Sequence, residues 1–307
     1  MENQQFTALE PSEPRHRWFE EQIQFRLKVR HFSKLPAEFT VQKISFEKDF
    51  ERYRCAAENA KTVESSILAR RRGGSSSNEP ASPESLERSQ RRAKTNVRLQ
   101  VTELAPTALV TFTTRETMPL ESLLWCWQYF TRLMRDAAFD FEYLAVPERH
   151  PTNPDHLHLH VAYRGRTPFN VLRRCWHMAL EARHGRKLSC ILRGTESPGN
   201  VDVQTIKARD QINRIRKIAR YVSKYITKDL ISDFNKKRYW PSKGIDLQAA
   251  AVFWLDSLSQ TDAIREACRM LGQWDEEAGC SPQKLFMPSD RVAWCAVDPS
   301  KTPPPPF

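Results

Sequence analysis

Three of the chain's eight histidines, His156, His158 and His160, alternate with leucines in the run HLHLH. On an extended strand alternate side chains share a face, so the imidazoles point one way and Leu157 and Leu159 the other. Neutral imidazole is a common metal ligand, and two rings spaced two residues apart can share one ion. Glu148 ends the β-prone run FEYLAVPE, separated from the histidines by the polar turn RHPTNPD. If the two runs pair as a hairpin, its carboxylate reaches the imidazole face. Imidazole and carboxylate with coordination positions left open suit a catalytic ion, because substrate must reach the metal. Donor chemistry alone points to zinc or another late metal.

The second cluster is IARYVSKYITKD. At helical spacing Tyr221 lies one turn from Tyr225, and Lys224 one turn from Lys228. Arg214, Lys217 and Arg220 add charge to the same segment, which suits a phosphate backbone. A phenol has an unperturbed pKa of about 10, so it attacks at neutral pH only with help from a neighbouring cation or an activated electrophile. Read alone, the helix more readily packs its tyrosines on a sheet and turns its lysines to water. The histidine run upstream favours chemistry.

Around these clusters the pattern alternates between strand and helix. ALVTFTT (108–114) reads as a strand. Pro119 opens a helix whose Leu123, Leu124, Trp127, Phe130 and Met134 recur at helical spacing and form a core stripe. The runs at 141–148 and 156–163 read as a hairpin, PFNVLRRCWHMALEARHG as a helix, GNVDVQTI as a strand, and residues 210–229 as a basic helix. The order β-α-β-β-α-β predicts an α+β fold, a ferredoxin-like or RRM-like antiparallel sheet with helices on one face.

That domain spans residues 96–245. Residues 1–69, with Trp18, Phe19, Phe25 and Phe32, read as a helical accessory segment. Residues 70–95, beginning RRRGGSSSNEP, read as a flexible basic linker. Residues 246–307 read as a helical extension, with Leu247, Val252, Phe253, Leu255 and Leu258 at helical spacing, ending in the Pro-rich tail PPPPF.

The 307 residues carry a formal net charge of +11, which favours a polyanionic partner. Seven scattered cysteines contain no CxxC pair, which excludes zinc-finger spacing and reads as reduced thiols. The N-terminus lacks a signal-peptide apolar run, and no stretch approaches the roughly 18 apolar residues of a membrane span. A cytoplasmic protein with no membrane partner is the expectation.

ALVTFTT, HLHLHVAYRG and YVSKYITKD occur in the order found in the HUH endonuclease superfamily, and the chain resembles its bacterial plasmid and phage rolling-circle replication initiators. The likeness covers about residues 105–245, with GNVDV and KKRYWPSKG also familiar. It implies the HUH fold, with His158 and His160 as the paired metal ligands and Glu148 as the extra polar ligand. It implies Tyr221 and Tyr225 as nucleophiles, each starting a YxxK, and Lys224 as the motif lysine. His156 is then left to brace the ligands or to touch DNA. The implied ion is Mg2+ or Mn2+, against the preference of the donors. The implied partners are single-stranded origin DNA and a host helicase or replisome. Three other readings compete: a histidine-triad nucleotide hydrolase, for which HLHLHVA fits the motif literally, a transposase or relaxase of the same superfamily, and a DNA-binding protein without catalysis.

Overall fold

The computed structural model describes residues 24–44, 83–150, 152–187, 196–228, 238–255, 257–275, 277, 279–298 and 300. In chain order these form β1 (Gln24–Arg30), β2 (Glu38–Ile44), α1 (Pro83–Leu104), β3 (Ala108–Thr114), α2 (Leu120–Asp136) and β4 (Phe141–His150). Then come β5 (Asn153–Gly165), α3 (Phe169–Arg183), β6 (Gly199–Gln204), α4 (Gln211–Lys228) and β7 (Trp240–Pro241). The last are β8 (Ala251–Leu255), α5 (Gln260–Met270), β9 (Trp274–Asp275), β10 (Gly279–Cys280), β11 (Lys284–Ser289) and β12 (Val292–Ala296). No described helix is long and apolar enough to cross a membrane. The chain divides into two compact units, Glu79–Leu247 and Met1–Asn78 with Gln248–Phe307.

The 79–247 unit is α+β and contains the expected β-α-β-β-α-β succession, β3 to β6. Its antiparallel sheet has the order β6-β3-β5-β4-β7. The strands earn central places by being apolar on both faces. Val110, Phe112, Leu159, Val161 and Val201 join Leu123, Trp127 and Phe130 of α2 and Leu172 and Trp176 of α3 in one core. Leu109, Leu144, Val146 and Ala162 join Val97, Val101 and Leu104 of α1 and Ile218, Ala219 and Val222 of α4 in another. Helices therefore cover both faces, where the sequence reading placed them on one. The second face is covered by α4 and by α1, which starts at Pro83 inside the stretch read as linker and buries Val97, Val101 and Leu104 just beyond it. Pro119 and Pro168 precede α2 and α3 in extended conformation, where a missing N–H costs nothing. Gly199 is required by close approach, since a Cβ there would collide with the Thr113 carbonyl on β3.

Three further boundaries differ from expectation. The expected linker at 70–95 contains the start of α1 at Pro83; its earlier part, like Trp18, Phe19 and the PPPPF tail, lies outside the described residues. Within residues 1–69 the described part is strand, not helix: Phe25, Leu27 and Val29 alternate inward and pair with β2. Within 246–307 there is one described helix and five strands. Val252, Phe253 and Leu255, read at helical spacing, lie on β8, which pairs with β1. In this unit the sheet order is β11-β12-β2-β1-β8. Ala263, Ile264 and Ala267 of α5 pack on it against Phe25, Leu27 and Phe39. Ser259 caps α5, its hydroxyl accepting from the Asp262 N–H at 3.1 Å. The all-thiol expectation also changes: Cys268 and Cys280 form a disulfide, while Cys126, Cys175 and Cys295 are free. Burial pushes the Cys126 thiol up to about 11 and that of Cys295 up to about 12.

Phe112 is the hinge of the larger core, with ring centroids 5.3 Å from Trp127, 5.0 Å from Phe130 and 5.3 Å from Trp176. Phe112→Ala should destabilise this unit by about 3–5 kcal/mol, read as a lower urea midpoint by circular dichroism. A loss under about 1 kcal/mol would contradict this packing.

Candidate active site

Strand β5 carries the histidines between two antiparallel neighbours. On the β3 side Thr111 faces His160 and Thr113 faces His158. On the β4 side Glu148 faces His158 and Val146 faces His160. Leu157, Leu159 and Val161 are buried against α2 and α3, so alternation sends His156, His158 and His160 to the side covered by α4.

His160 and Glu148 are both buried, and Nε2 lies 2.6 Å from a Glu148 carboxylate oxygen. The other ring nitrogen, Nδ1, lies 3.2 Å from the Thr111 hydroxyl. The imidazole is thus held at both nitrogens, by a carboxylate from β4 and a hydroxyl from β3. His156 is tied down differently. Its Nε2–H donates to the Thr114 carbonyl at 2.6 Å, which fixes that nitrogen as protonated. His158 is half-buried, and its pKa is lowered by burial first and then by the charges of His150 and His156. Its neutral form is favoured, the form that ligates metals or takes up protons. Its ring is 4.9 Å from His150 but 6.5 Å from His160.

Helix α4 brings the tyrosines to this face. The Tyr225 ring lies flat on His160, with centroids 4.2 Å apart and planes 9° from parallel. Tyr221 stands edge-on to both, 4.9 Å from Tyr225 and 6.0 Å from His160. Tyr225 is 7% exposed and Tyr221 37%. The Tyr225 hydroxyl is pushed far above the ordinary phenol value by burial, then by its hydrogen bond with Tyr221 and the nearby Glu148 charge. An exposed phenol and a buried one therefore sit side by side.

The helix also supplies cations. Lys224 and Arg220 are exposed. Lys217 is exposed too and donates to the Lys207 carbonyl at 2.9 Å. Arg214 is half-buried, and its Nε has no hydrogen-bond partner among the described residues. The Lys228 side chain lies outside the described residues.

Of the residues singled out from sequence, His160, Glu148, Tyr221 and Tyr225 form one contact cluster, with His156 and His158 alongside on β5 and Lys224 on the tyrosine helix. Sequence reading missed Thr111, Thr114 and His150. The first two lie on the strand ALVTFTT, and their chemistry appears only once β3 pairs with β5. No three His, Cys, Asp or Glu side chains among the described residues form a ready-made metal cluster. The donor types nevertheless fit a divalent ion. A carboxylate oxygen and an imidazole nitrogen converge, the neutral His158 lies on the same strand, and Thr111 can accept from Nδ1–H to free Nε2 for ligation. Comparison of the chain with protein-family models, curated proteins and solved structures returns no match.

Its exposure makes Tyr221 the more reactive phenol, and burial with a raised hydroxyl pKa makes Tyr225 the less reactive one. Nitration with tetranitromethane, mapped by peptide mass spectrometry, should modify Tyr221 well before Tyr225. Equal or reversed labelling would contradict the arrangement described.

Proposed function

We propose that this chain is a DNA-nicking and joining enzyme of the HUH endonuclease type, acting as a rolling-circle replication initiator on single-stranded origin DNA. The observation that carries the reading is the contact of His160, hydrogen-bonded to Glu148, with Tyr225 and through it Tyr221. A phosphate-activating group and two candidate nucleophiles meet on one surface. The strand order β6-β3-β5-β4 of a β-α-β-β-α-β unit supports the ferredoxin-like fold that such a reading requires.

His158, His160 and Glu148 are the residues that would hold Mg2+ or Mn2+. Such an ion, when bound, polarises the phosphodiester and offsets charge developing in the transition state. Thr111 fixes the orientation of His160, and Lys224, Arg220, Lys217 and Arg214 contact the DNA backbone. Tyr221, the exposed phenol, attacks first. A bond forms from its oxygen to phosphorus and the bond from phosphorus to the 3′ oxygen breaks. Over the exchange the phenol loses its proton and the 3′ oxygen gains one. The product is a 5′-phosphotyrosine link and a free 3′-OH that primes synthesis. Tyr225 takes the second exchange, after movement of the α4 side chains uncovers it. Each exchange trades one phosphodiester for another, so joining needs no nucleotide.

Incubation with labelled single-stranded origin oligonucleotides and Mn2+ should give a covalent adduct resistant to denaturing electrophoresis. Tyr221→Phe should lose the first adduct, Tyr225→Phe should keep it, and the double variant should form none. EDTA should abolish the reaction; a histidine-triad hydrolase would survive it. Undiminished adduct from the double variant would overturn the proposal.

A further inference from the structure

The core stripe of α2 turns Leu123, Cys126, Trp127, Phe130 and Met134 toward the sheet, yet the same helix leaves an indole in water. Trp125 is 41% exposed. Its ring stacks on Tyr129, one turn along, at 5.4 Å and 26°. The Arg132 guanidinium covers Tyr129 at 4.6 Å. The Arg183 guanidinium, from the last turn of α3, stands 5.8 Å from the Trp125 ring and donates to the Ser122 hydroxyl at 3.2 Å. The local ion pairs take Arg135 to Asp136 and Arg186 to Glu181, leaving the guanidiniums of residues 132 and 183 beside the rings. The order is Arg183, Trp125, Tyr129, Arg132: two stacked aromatic rings between two cations.

We propose that this ladder is a second contact surface for single-stranded DNA, on the sheet face opposite Tyr221 and Tyr225. Stacked rings with one ring open to solvent match the flat faces of unpaired bases, and the flanking guanidiniums match phosphates in charge and hydrogen-bonding geometry. In a duplex the base faces are already covered, so the occupant is single-stranded. The surface holds the strand outside the scissile site. The inference rests on the proposed function for its choice of DNA as the polymer.

The test is fluorescence anisotropy of a labelled oligothymidylate with the full chain across a salt series. Trp125→Ala should weaken binding by about tenfold or more, with Trp125→Phe keeping most of the affinity. Arg132→Gln with Arg183→Gln should flatten the log-affinity against log-salt slope by about 1.4. Tyr221→Phe with Tyr225→Phe should lose the adduct, and Trp125→Ala should weaken oligothymidylate binding in that background by the same factor. If the tyrosine double variant still forms adduct, the nickase reading fails, and the Trp125 result stands or falls separately. A Trp125→Ala protein that melts like the wild type and binds with its affinity and salt slope overturns the inference, leaving the ladder as a surface staple or a protein-docking patch. Should Trp125→Ala lose its fold, the slope of the arginine variant decides: unchanged, it overturns the proposal.

Discussion

Strand alternation on β5 is the constraint from which the site follows. Leu157, Leu159 and Val161 are dry against α2 and α3. A slip of one residue would bury three imidazoles in that core and turn the leucines out of it, so the register is fixed by the same burial that stabilises the sheet. Pairing on both sides then delivers the partners of His160, Thr111 from β3 and Glu148 from β4. The site therefore rests on the middle of a sheet, where neighbouring strands hold the side chains more firmly than loops would.

The tyrosine helix is positioned by the same kind of argument. Ile215, Ile218, Ala219, Val222 and Ile226 form the buried stripe that seats α4 against α1 and the sheet. Each fully buried aliphatic chain contributes about 1.5–3 kcal/mol, enough to set the helix rotation. Tyr225, three residues beyond Val222, continues that stripe and is carried onto the His160 ring. Tyr221 lies at its margin and keeps contact with water. The same rotation thus buries one phenol and leaves the other open to water.

The legible parts of the fold were those whose signals are local. ALVTFTT, the Pro119 helix, the histidine hairpin and the basic helix were all found near their expected bounds, because alternation and helical spacing are properties of a few adjacent residues. The parts that escaped depend on distant partners. QFRLKVR alternates plainly, but its strand pairs with residues 38–44 and 251–255, and charged outward positions made it resemble a polar helix. Likewise AVFWL is too short for its period to be distinguished, and only the partner strand decides it. Among the site residues, His160, Glu148 and the tyrosines stood out by type and spacing. Thr111 did not, since a threonine on a strand is ordinary until its neighbour is an imidazole.

The His160–Glu148 contact also bears on the metal-binding role proposed for these side chains. At 2.6 Å the nitrogen and oxygen share a proton and are closer than the roughly 3 Å separating two ligands of one cation. The proton must leave Nε2 before that nitrogen can ligate, and Nδ1 must then carry one. Thr111, whose hydroxyl can donate to Nδ1 or accept from it, satisfies either tautomer without moving. The buried carboxylate has the imidazole as its partner here, and under the proposed function a bound cation would take that place, so neither condition would leave an uncompensated charge inside the protein. A residue that only packed against the sheet would need none of this, and an apolar side chain at position 111 or 148 would fill the same space more cheaply.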